Sequence, residues 1–301
     1  MSTIRAIVLL TGFIGSALLL MPLQWLSLRL YPPMGKKIPV AYHRFLCWLI
    51  GIRVTVKGDA ISGGPRLITA NHTSWLDIPI LSSIGPISFV AKSEVAAWPF
   101  FGTLARLQRT VFVERERRTK TADSRNQIHA RIAKGDTLVL FPEGTSSDGN
   151  NVLPFKSALM SVAQLALVQS EADREEDLIV QPVSVAYLNL HGLPMGRRFR
   201  PFFAWYGDME LFPHLWEAFR MGPIDVVVEC HAPVTIRQMG NRKALAAYCE
   251  ACCRAGVVDA IAGRETHRPA LPAETKSAAS GARNGQAVAV SAGAERAVSS
   301  R

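Results

Sequence analysis

The sequence predicts an α/β protein with a mostly parallel central sheet flanked by helices, preceded by an apolar, helical, membrane-anchoring segment. Two observations carry this prediction. Beyond Gly51, short β-rich runs alternate with helical patterns, which is typical of a parallel sheet covered by helices. Residues 6–28 carry no charge, and as a helix they would span about 35 Å, enough to cross a bilayer core.

The N-terminus leaves two forms of anchoring open. A second apolar stretch, from Val40 to Ile52, follows a turn rich in proline and glycine. The two stretches therefore fit a pair of helices in one leaflet as well as a spanning helix. A secretory signal is a weaker alternative, since no clear cleavage site follows. Basic residues mostly follow the first stretch, so the positive-inside rule predicts a cytoplasmic main domain.

The elements of the main domain begin with "IRVTVKG" and "RLITANH", which predict two strands, and "SWLDIPILSSI", which predicts a helix. "ISFVAK" predicts a strand, "EVAAWPFFGTLARL" a helical region broken at Pro99, and "TVFVERE" a further strand. "TADSRNQIHARIAKG" predicts a helix with Asp123 or Ser124 near its start and Gly135 as its stop.

The second half continues the alternation. "TLVLFPEG" predicts a strand that runs into a turn, and "SALMSVAQLALVQ" a helix. "DLIVQPVSVAYL" and "IDVVVECHAPV" predict strands, and "NRKALAAYCEACCRAGVVDAI" predicts a terminal helix. Residues 192–222 mix aromatic, proline and basic residues, which favours a loop-rich insertion able to lie on lipid.

Three regions follow from these patterns. We expect a membrane-anchoring helical segment at 1–50, an α/β domain at 51–262 and a disordered tail at 263–301. The tail consists largely of Ala, Ser, Gly, Arg and Glu and has no apolar period.

The charge of the chain predicts an anionic partner. Lys and Arg number 34 against 24 Asp and Glu, which gives a formal net charge of +10. A membrane surface, a nucleic acid or a phosphate-bearing substrate would satisfy this excess. No nucleic-acid motif is recognisable, and a nucleic-acid binder would not explain the uncharged segment. The five cysteines lack the spacing of a zinc site, so the sequence calls for no metal and no redox cofactor.

Polar residues follow two strands of the predicted sheet. The "TANH" strand delivers His72, and the "TLVLF" strand delivers the turn "PEGTSSDG". Between them, "FVERERR" supplies Arg115 and Arg118. Because open parallel sheets present functional loops at the carboxyl ends of their strands, we expect these groups to share one edge.

His72 lies five residues before Asp77, and two interpretations of this pair are open. Ser74 followed by Asp77 fits a capping box, in which Asp77 only caps the helix and His72 is a loop residue. Alternatively, His72 folds back from the loop toward the first helical turn and pairs with Asp77, since residues five apart within one helix do not share a face.

Four blocks in order, "NHTSWLD", "FVERERR", "FPEGTSS" and "VQPVSV", resemble the motifs of the glycerolipid acyltransferase family that contains 1-acylglycerol-3-phosphate acyltransferases. The resemblance covers roughly Gly51 to Val234. It implies that an acyl thioester, on acyl carrier protein or coenzyme A, gives its acyl group to a lysolipid hydroxyl. It also implies a location at a bacterial-type inner membrane.

The resemblance assigns roles that suit the residue types. An imidazole, with an ordinary pKa of about 6.5, takes a hydroxyl proton as attack proceeds, and His72 is assigned this role. Asp77 would hold the ring tautomer and stabilise the imidazolium. Backbone N–H groups around Gly144 and Thr145 would bind the oxyanion of the thioester carbonyl.

The candidate substrate ligands each have a structural alternative. Glu143 either binds an acceptor hydroxyl or braces its turn. Arg115 and Arg118 would bind an acidic head group or the carrier's phosphate, or else form an exposed basic strand end. Lys92 is a candidate for orienting a ligand, with a surface lysine as the alternative.

Ser146 departs from the family pattern, because phosphate-acceptor members usually have arginine at that position. Losing a charged hydrogen bond of about 1.5–3 kcal/mol is enough to change acceptor preference. The run "FPEGTSSDGNNVLPFKSAL" resembles the branch that acylates lyso-ornithine lipid, so this acceptor is favoured over lysophosphatidic acid. A non-catalytic lipid-binding protein with the same fold is the alternative of another class, and the intact His72–Asp77 pair favours the enzyme.

Overall fold

The structure, a computed structural model, describes residues 2–59, 61, 64–114, 118–163, 178–265 and 269. In chain order the described helices are α1 (Ser2–Leu30), α2 (Pro32–Ile50), α3 (Asp77–Ile84), α4 (Phe101–Leu107), α5 (Arg118–Ala133), α6 (Gly196–Phe199), α7 (Leu211–Met221), α8 (Ile236–Met239) and α9 (Arg242–Ala262). The described strands are β1 (Ile52–Gly58), β2 (Arg66–Ala70), β3 (Ile87–Lys92), β4 (Val111–Val113), β5 (Thr137–Leu140), β6 (Ile179–Leu190), β7 (Leu193–Pro194), β8 (Ile224–Cys230) and β9 (Val234–Thr235).

The strands form one sheet in the order β1-β8-β6-β2-β5-β3-β4, with β7 and β9 paired to β6. The pairs β1–β8, β2–β6, β2–β5, β3–β5 and β3–β4 are parallel. β6 pairs antiparallel with β8. The α/β class and the mostly parallel sheet are therefore confirmed.

The centre of the sheet positions the candidate site. β2 is fully buried between β6 and β5, as a strand covered by helices on both faces must be. The loops that carry His72 and Glu143 leave the carboxyl ends of the neighbouring strands β2 and β5. β3 lies next to β5 and ends at Lys92, so three candidate residues reach the same edge of the sheet.

The N-terminal helices α1 and α2 form an antiparallel pair that packs on the domain. Among the described residues, α1 is the helix long and apolar enough to cross a membrane by length and composition. One stripe of it is buried nonetheless, and this stripe comprises Ala6, Leu9, Phe13, Ala17, Gln24 and Ser27. The Arg5 guanidinium donates to the carbonyls of Phe219 and Ile50, so the start of α1 is attached to α7 and α2.

Helix α7 corrects the prediction of a loop-rich insertion at 192–222. Residues 211–221 are helical and amphipathic, with Leu215, Ala218 and Phe219 buried. The mixture of aromatic, proline and basic residues predicts a loop here, but Pro213 lies in the first turn of α7. Proline is tolerated at that place, because a backbone N–H there would have no partner within the helix. The rest of this region holds only short elements, including a 3₁₀ turn at Arg200–Phe202.

The terminal helix confirms its prediction closely. The side chain of Asn241 accepts hydrogen bonds from the first turn of α9, and Gly263 ends the helix in the left-handed conformation. Of the helix predicted for "SALMSVAQLALVQ", residues 157–160 form turns and residues 161–163 are helical, while residues 164–169 lie outside the described residues. Most of the predicted disordered tail also lies outside them.

Candidate active site

His72 and Asp77 are in direct contact. His72 Nδ1 lies 2.8 Å from Asp77 Oδ2. Since the carboxylate only accepts, the neutral imidazole carries its proton on Nδ1 and leaves the Nε2 lone pair free. The His72 side chain is 20% exposed and that of Asp77 is 0% exposed, so the pair presents only the ring to solvent.

The Asp77 carboxylate also organises the loop between β2 and α3. Oδ2 accepts from the backbone N–H groups of Thr73 at 2.7 Å and Ser74 at 3.0 Å. Oδ1 accepts from the Tyr187 hydroxyl at 2.8 Å. Four donors thus surround one buried carboxylate, which fixes it in place and compensates its charge.

The capping box predicted from Ser74 and Asp77 forms only in half. Asp77 accepts from the Ser74 N–H, but the Ser74 hydroxyl has no hydrogen-bond partner among the described residues. Helix α3 begins at Asp77 without a side-chain cap. The Asp77 carboxylate therefore both pairs with His72 and closes the turn before α3, so the two interpretations of this pair hold together.

Tyr187, on β6, was not predicted from the sequence. Its side chain is buried, and burial, followed by the nearby Asp77 charge, raises the pKa of its hydroxyl well above the ordinary value. The hydroxyl therefore stays protonated and donates to Asp77. The signal for it was the alternation Val183, Val185, Tyr187, which places all three side chains on one face of β6.

Glu143 holds the backbone of His72 from the neighbouring loop. One carboxyl oxygen accepts from the His72 N–H at 2.8 Å and the other from the Leu153 N–H at 3.1 Å. Glu143 is 1% exposed, and burial raises its pKa to about 8. This geometry favours the bracing alternative over contact with an acceptor hydroxyl.

Two further contacts fix the His72 loop. The imidazole stacks on the Phe141 ring with centroids 4.1 Å apart and planes inclined by 17°. The His72 carbonyl accepts from the Ser147 N–H at 2.8 Å. The loops after β2 and β5 are thereby joined through main-chain and side-chain contacts, which orients the ring before any substrate arrives.

The turn at residues 144–146 changes the predicted oxyanion site. Gly144 adopts φ +73°, which favours glycine, but its N–H donates to the Phe141 carbonyl at 3.1 Å. Gly144 therefore shapes the turn, and its N–H is not free for an oxyanion. Thr145 is exposed at the same turn, and its N–H has no acceptor among the described residues. Ser146 donates its hydroxyl to the Trp205 carbonyl.

The remaining predicted ligands are placed unequally. Lys92 ends β3 and is exposed. Arg118 begins α5, but its side chain is outside the described part of the structure, and Arg115 lies outside the described residues altogether.

His72 lines an apolar cavity of about 450 Å³. The turn at 144–146 and Lys92 also line it. Further lining residues come from α1 and α2, among them Phe13, Met21, Ile38 and Tyr42. Its volume falls in the range of about 300–1,000 Å³ that is typical of ligand sites. The N-terminal helices thus form walls of the site as well as the outer layer of the protein.

Comparison with known proteins places this geometry in a family. Residues 52–186 match the family model described as Acyltransferase. The chain is 46% identical over 263 residues to a lyso-ornithine lipid O-acyltransferase of Brucella abortus (strain 2308), covering 87% of this chain and 97% of that protein. The chain belongs to the acyltransferase family.

Other acyltransferases of the family are less similar. A lyso-ornithine lipid O-acyltransferase of Pseudomonas aeruginosa PAO1 is 31% identical, with 82% of this chain and 90% of that protein covered. A 1-acyl-sn-glycerol-3-phosphate acyltransferase of Neisseria gonorrhoeae is also 31% identical, but covers 64% of this chain and 69% of that protein. The crystal structure of the 1-acyl-sn-glycerophosphate (LPA) acyltransferase from Thermotoga maritima has a TM-score of 0.61 at 21% identity, covering 89% of this chain and 100% of that one, and shows the shared fold.

Two supports of this acyltransferase's histidine loop had only faint signals in the sequence. The Asn71 side chain bonds both the N–H and the carbonyl of Val185, so it continues the pairing of β2 with β6 past the end of the strand. The backbone N–H of Trp205 donates to the Thr73 carbonyl at 2.9 Å. Asn71 stands within the "NHTSWLD" block, whereas nothing in the 192–222 region indicated that Trp205 reaches the site.

Proposed function

We propose that this acyltransferase moves a fatty acyl group from an acyl thioester to the free hydroxyl of lyso-ornithine lipid at a membrane surface. One observation carries the chemistry: His72, which is paired with Asp77, lines an apolar cavity. Two observations support lyso-ornithine lipid as the acceptor. The lyso-ornithine lipid O-acyltransferases match most of their own length and most of this chain, and position 146 is a serine.

In the proposed reaction His72 is the general base. Its Nε2 takes the proton of the acceptor hydroxyl while the oxygen attacks the thioester carbonyl. Asp77 keeps the Nδ1–H tautomer and stabilises the imidazolium as it forms. When the tetrahedral intermediate collapses, the C–S bond breaks and the leaving sulfur receives the proton from Nε2. The reaction needs no cofactor beyond the acyl thioester itself.

The oxyanion of the intermediate requires a donor near the turn after β5. The Thr145 N–H is the donor that we favour, because the neighbouring Gly144 N–H is bonded to Phe141. The positive φ of Gly144 brings this stretch of backbone to the cavity, where a thioester carbonyl would lie beside His72. The acyl chain would occupy the apolar part of the cavity between the sheet and the N-terminal helices.

The anchoring that we propose is insertion of α1 and α2 into one leaflet. α1 is fixed to the domain near both ends, by Arg5 at its start and by Gln24, which donates to the Leu107 carbonyl at 2.9 Å. A separate spanning helix would have to give up these contacts. The opposite face of α1 exposes Val8, Leu19 and Trp25, which suits contact with acyl chains.

The acyl donor that we propose is acyl-ACP or acyl-CoA. Both carry phosphate, and acyl carrier protein also offers an acidic surface to a chain with a net charge of +10. The cytoplasm supplies both donors, which agrees with the inside location that the positive-inside rule predicts.

The test is acyl transfer by the detergent-purified full chain. Acyl-ACP and acyl-CoA are each offered with lyso-ornithine lipid and with lysophosphatidic acid, and kcat/KM is measured for all four pairs. We expect lyso-ornithine lipid to be the better acceptor. Preference for lysophosphatidic acid would move the enzyme to the phosphatidic-acid branch, and inactivity with both acceptors would contradict the proposal.

A further inference from the structure

One cation and two indole rings line the cavity that His72 also lines. They are Lys92 at the end of β3, Trp98 after the 3₁₀ turn Ser93–Ala97, and Trp205. The two indole rings lie 5.8 Å apart between centroids, and their planes are inclined by 82°. They meet edge to face and form an aromatic corner in the wall of the cavity.

The position of Trp205 is coupled to the catalytic loop. Its backbone N–H donates to the carbonyl of Thr73, the residue that follows His72, and its carbonyl accepts from the Ser146 hydroxyl. The indole N–H donates to the Met209 carbonyl at 2.8 Å. Because that N–H is occupied, the ring offers a ligand its face and not a hydrogen bond.

Lys92 supplies a positive charge to the wall of this cavity. It is exposed and forms no ion pair among the described residues. An ammonium of this kind pairs with a carboxylate, and the face of an indole ring attracts a cation. A ligand that carries both a carboxylate and an ammonium would therefore find a partner for each charge in this cavity wall.

A phosphate acceptor would use these groups less well. A phosphate monoester is purely anionic, so it gains from Lys92 but nothing from the indole corner. The serine at position 146 donates to Trp205 and offers no cation to a phosphate. The cavity wall thus combines a weakened phosphate site with an aromatic corner suited to an ammonium.

We propose that Lys92, Trp98 and Trp205 form a subsite for a zwitterionic amino-acid head group. Lys92 pairs with the α-carboxylate of the ornithine moiety, and the indole corner of Trp98 and Trp205 receives the side-chain ammonium. The inference rests on the proposed function, because it names the head-group contacts for that acceptor.

The test uses three acceptors that differ at one charge each. These are lyso-ornithine lipid, its norvaline analogue without the side-chain ammonium, and its α-carboxamide analogue. The wild-type protein should lose about 10–100-fold in kcat/KM on the carboxamide, as expected for a charged hydrogen bond. It should lose about 3–30-fold on the norvaline analogue, as expected for a cation–π contact.

Single substitutions then assign each contact. Lys92→Met should lower kcat/KM on lyso-ornithine lipid and accept the carboxamide equally well, while keeping its preference against norvaline. Trp98→Leu should lower kcat/KM on lyso-ornithine lipid and accept the norvaline analogue equally well, while keeping its preference against the carboxamide. Trp98→Phe, which keeps a π face, should retain part of the preference for the ammonium. Lys57→Met, on the exposed edge strand β1, is the matched control and should behave as the wild type.

Two outcomes distinguish a failure of the head-group subsite from a failure of the proposed function. If the wild-type protein acylates all three acceptors equally, or if Lys92→Met and Trp98→Leu keep the wild-type discrimination, the subsite is wrong while the acyl transfer stands. If the wild-type protein acylates none of the three, the proposed function fails and the head-group subsite fails with it.

Discussion

The Tyr187 hydroxyl donates a 2.8 Å hydrogen bond to Asp77 Oδ1, on the side of the carboxylate away from the oxygen that His72 contacts. Tyr187 and His72 thus share one buried carboxylate. This arrangement makes the tyrosine a positioning residue for the histidine, although it does not line the cavity near His72.

Tyr187→Phe should make the histidine harder to deprotonate. Removing the hydroxyl leaves more of the Asp77 charge uncompensated, which stabilises the imidazolium and moves the acidic limb of the kcat/KM profile to higher pH. The lost bond to a charged group should lower the free energy of unfolding by about 1.5–3 kcal/mol. A pH–rate profile that stays unshifted while stability falls would reduce Tyr187 to a structural role.

Asp77→Asn should preserve the loop and remove the charge. The amide oxygen must take the place of Oδ2, because three donors converge there, and the amide nitrogen then faces the Tyr187 oxygen. We expect a near-normal melting temperature and a fall in kcat of about 10²–10⁴-fold, the range typical of general base catalysis. The matched variant Asp77→Ala leaves the buried N–H groups of Thr73 and Ser74 unpaired, so it should lower the melting temperature as well.

Glu143 should make the stability of the wild-type protein depend on pH. Burial raises its pKa to about 8, above the value of the unfolded chain, so the folded state favours the protonated carboxyl. Its contribution is complete below pH 4.5 and is lost as the pH rises through about 8. Glu143→Gln cannot ionise, and its melting temperature should therefore vary less between pH 5 and 8.5. If the melting temperature of the variant falls with pH as steeply as that of the wild-type protein, other groups cause the pH dependence.

Asp136→Ala should weaken the attachment of α2 to the domain. Asp136 is 4% exposed, and its carboxylate lies 2.8 Å from Lys36 on α2, 2.6 Å from Arg131 and 2.8 Å from Arg109. Burial acts to raise the pKa of this carboxyl, but the three cations outweigh it and the pKa is lowered. Its removal breaks hydrogen bonds to cations that solvent partly reaches, so we expect a loss of about 1.5–3 kcal/mol of unfolding free energy.

The control for Asp136 is the pair of Arg53 and Asp225, which is more exposed. Asp225→Ala should change the free energy of unfolding by no more than about 1 kcal/mol, because solvent screens the pair. Equal losses of melting temperature in both variants would argue against a special role for the Asp136 cluster.

Local patterns in the sequence were sufficient for the sheet and for the edge at which the site forms. β-rich runs located β2 and β5, and the rule for parallel strands brought His72 and Glu143 to one edge, where they lie in hydrogen-bond contact. The same patterns did not reveal the helix α7, because its proline and aromatic residues resemble a loop until the first-turn position of Pro213 is known.

The supports of the site were harder to predict because they are long-range. Tyr187 and Asp77 are 110 residues apart, and their contact exists only once β6 has paired beside β2. Gly144 shows another limit of prediction from sequence. The sequence correctly predicts that this glycine lies in the turn after β5. It does not show that the Gly144 N–H donates to the Phe141 carbonyl, and this bond decides whether that N–H can serve an oxyanion.

The most direct test of His72 as the base is the rate of acyl transfer to lyso-ornithine lipid by His72→Gln, compared with the rate of the wild-type protein. The melting temperatures of the two proteins are measured alongside and should agree, which shows that the variant is folded. We predict a loss of about 10²–10⁴-fold in kcat, because the amide has no lone pair able to take the hydroxyl proton. A folded His72→Gln protein that keeps the full wild-type rate would contradict the mechanism, and another group would have to be the base.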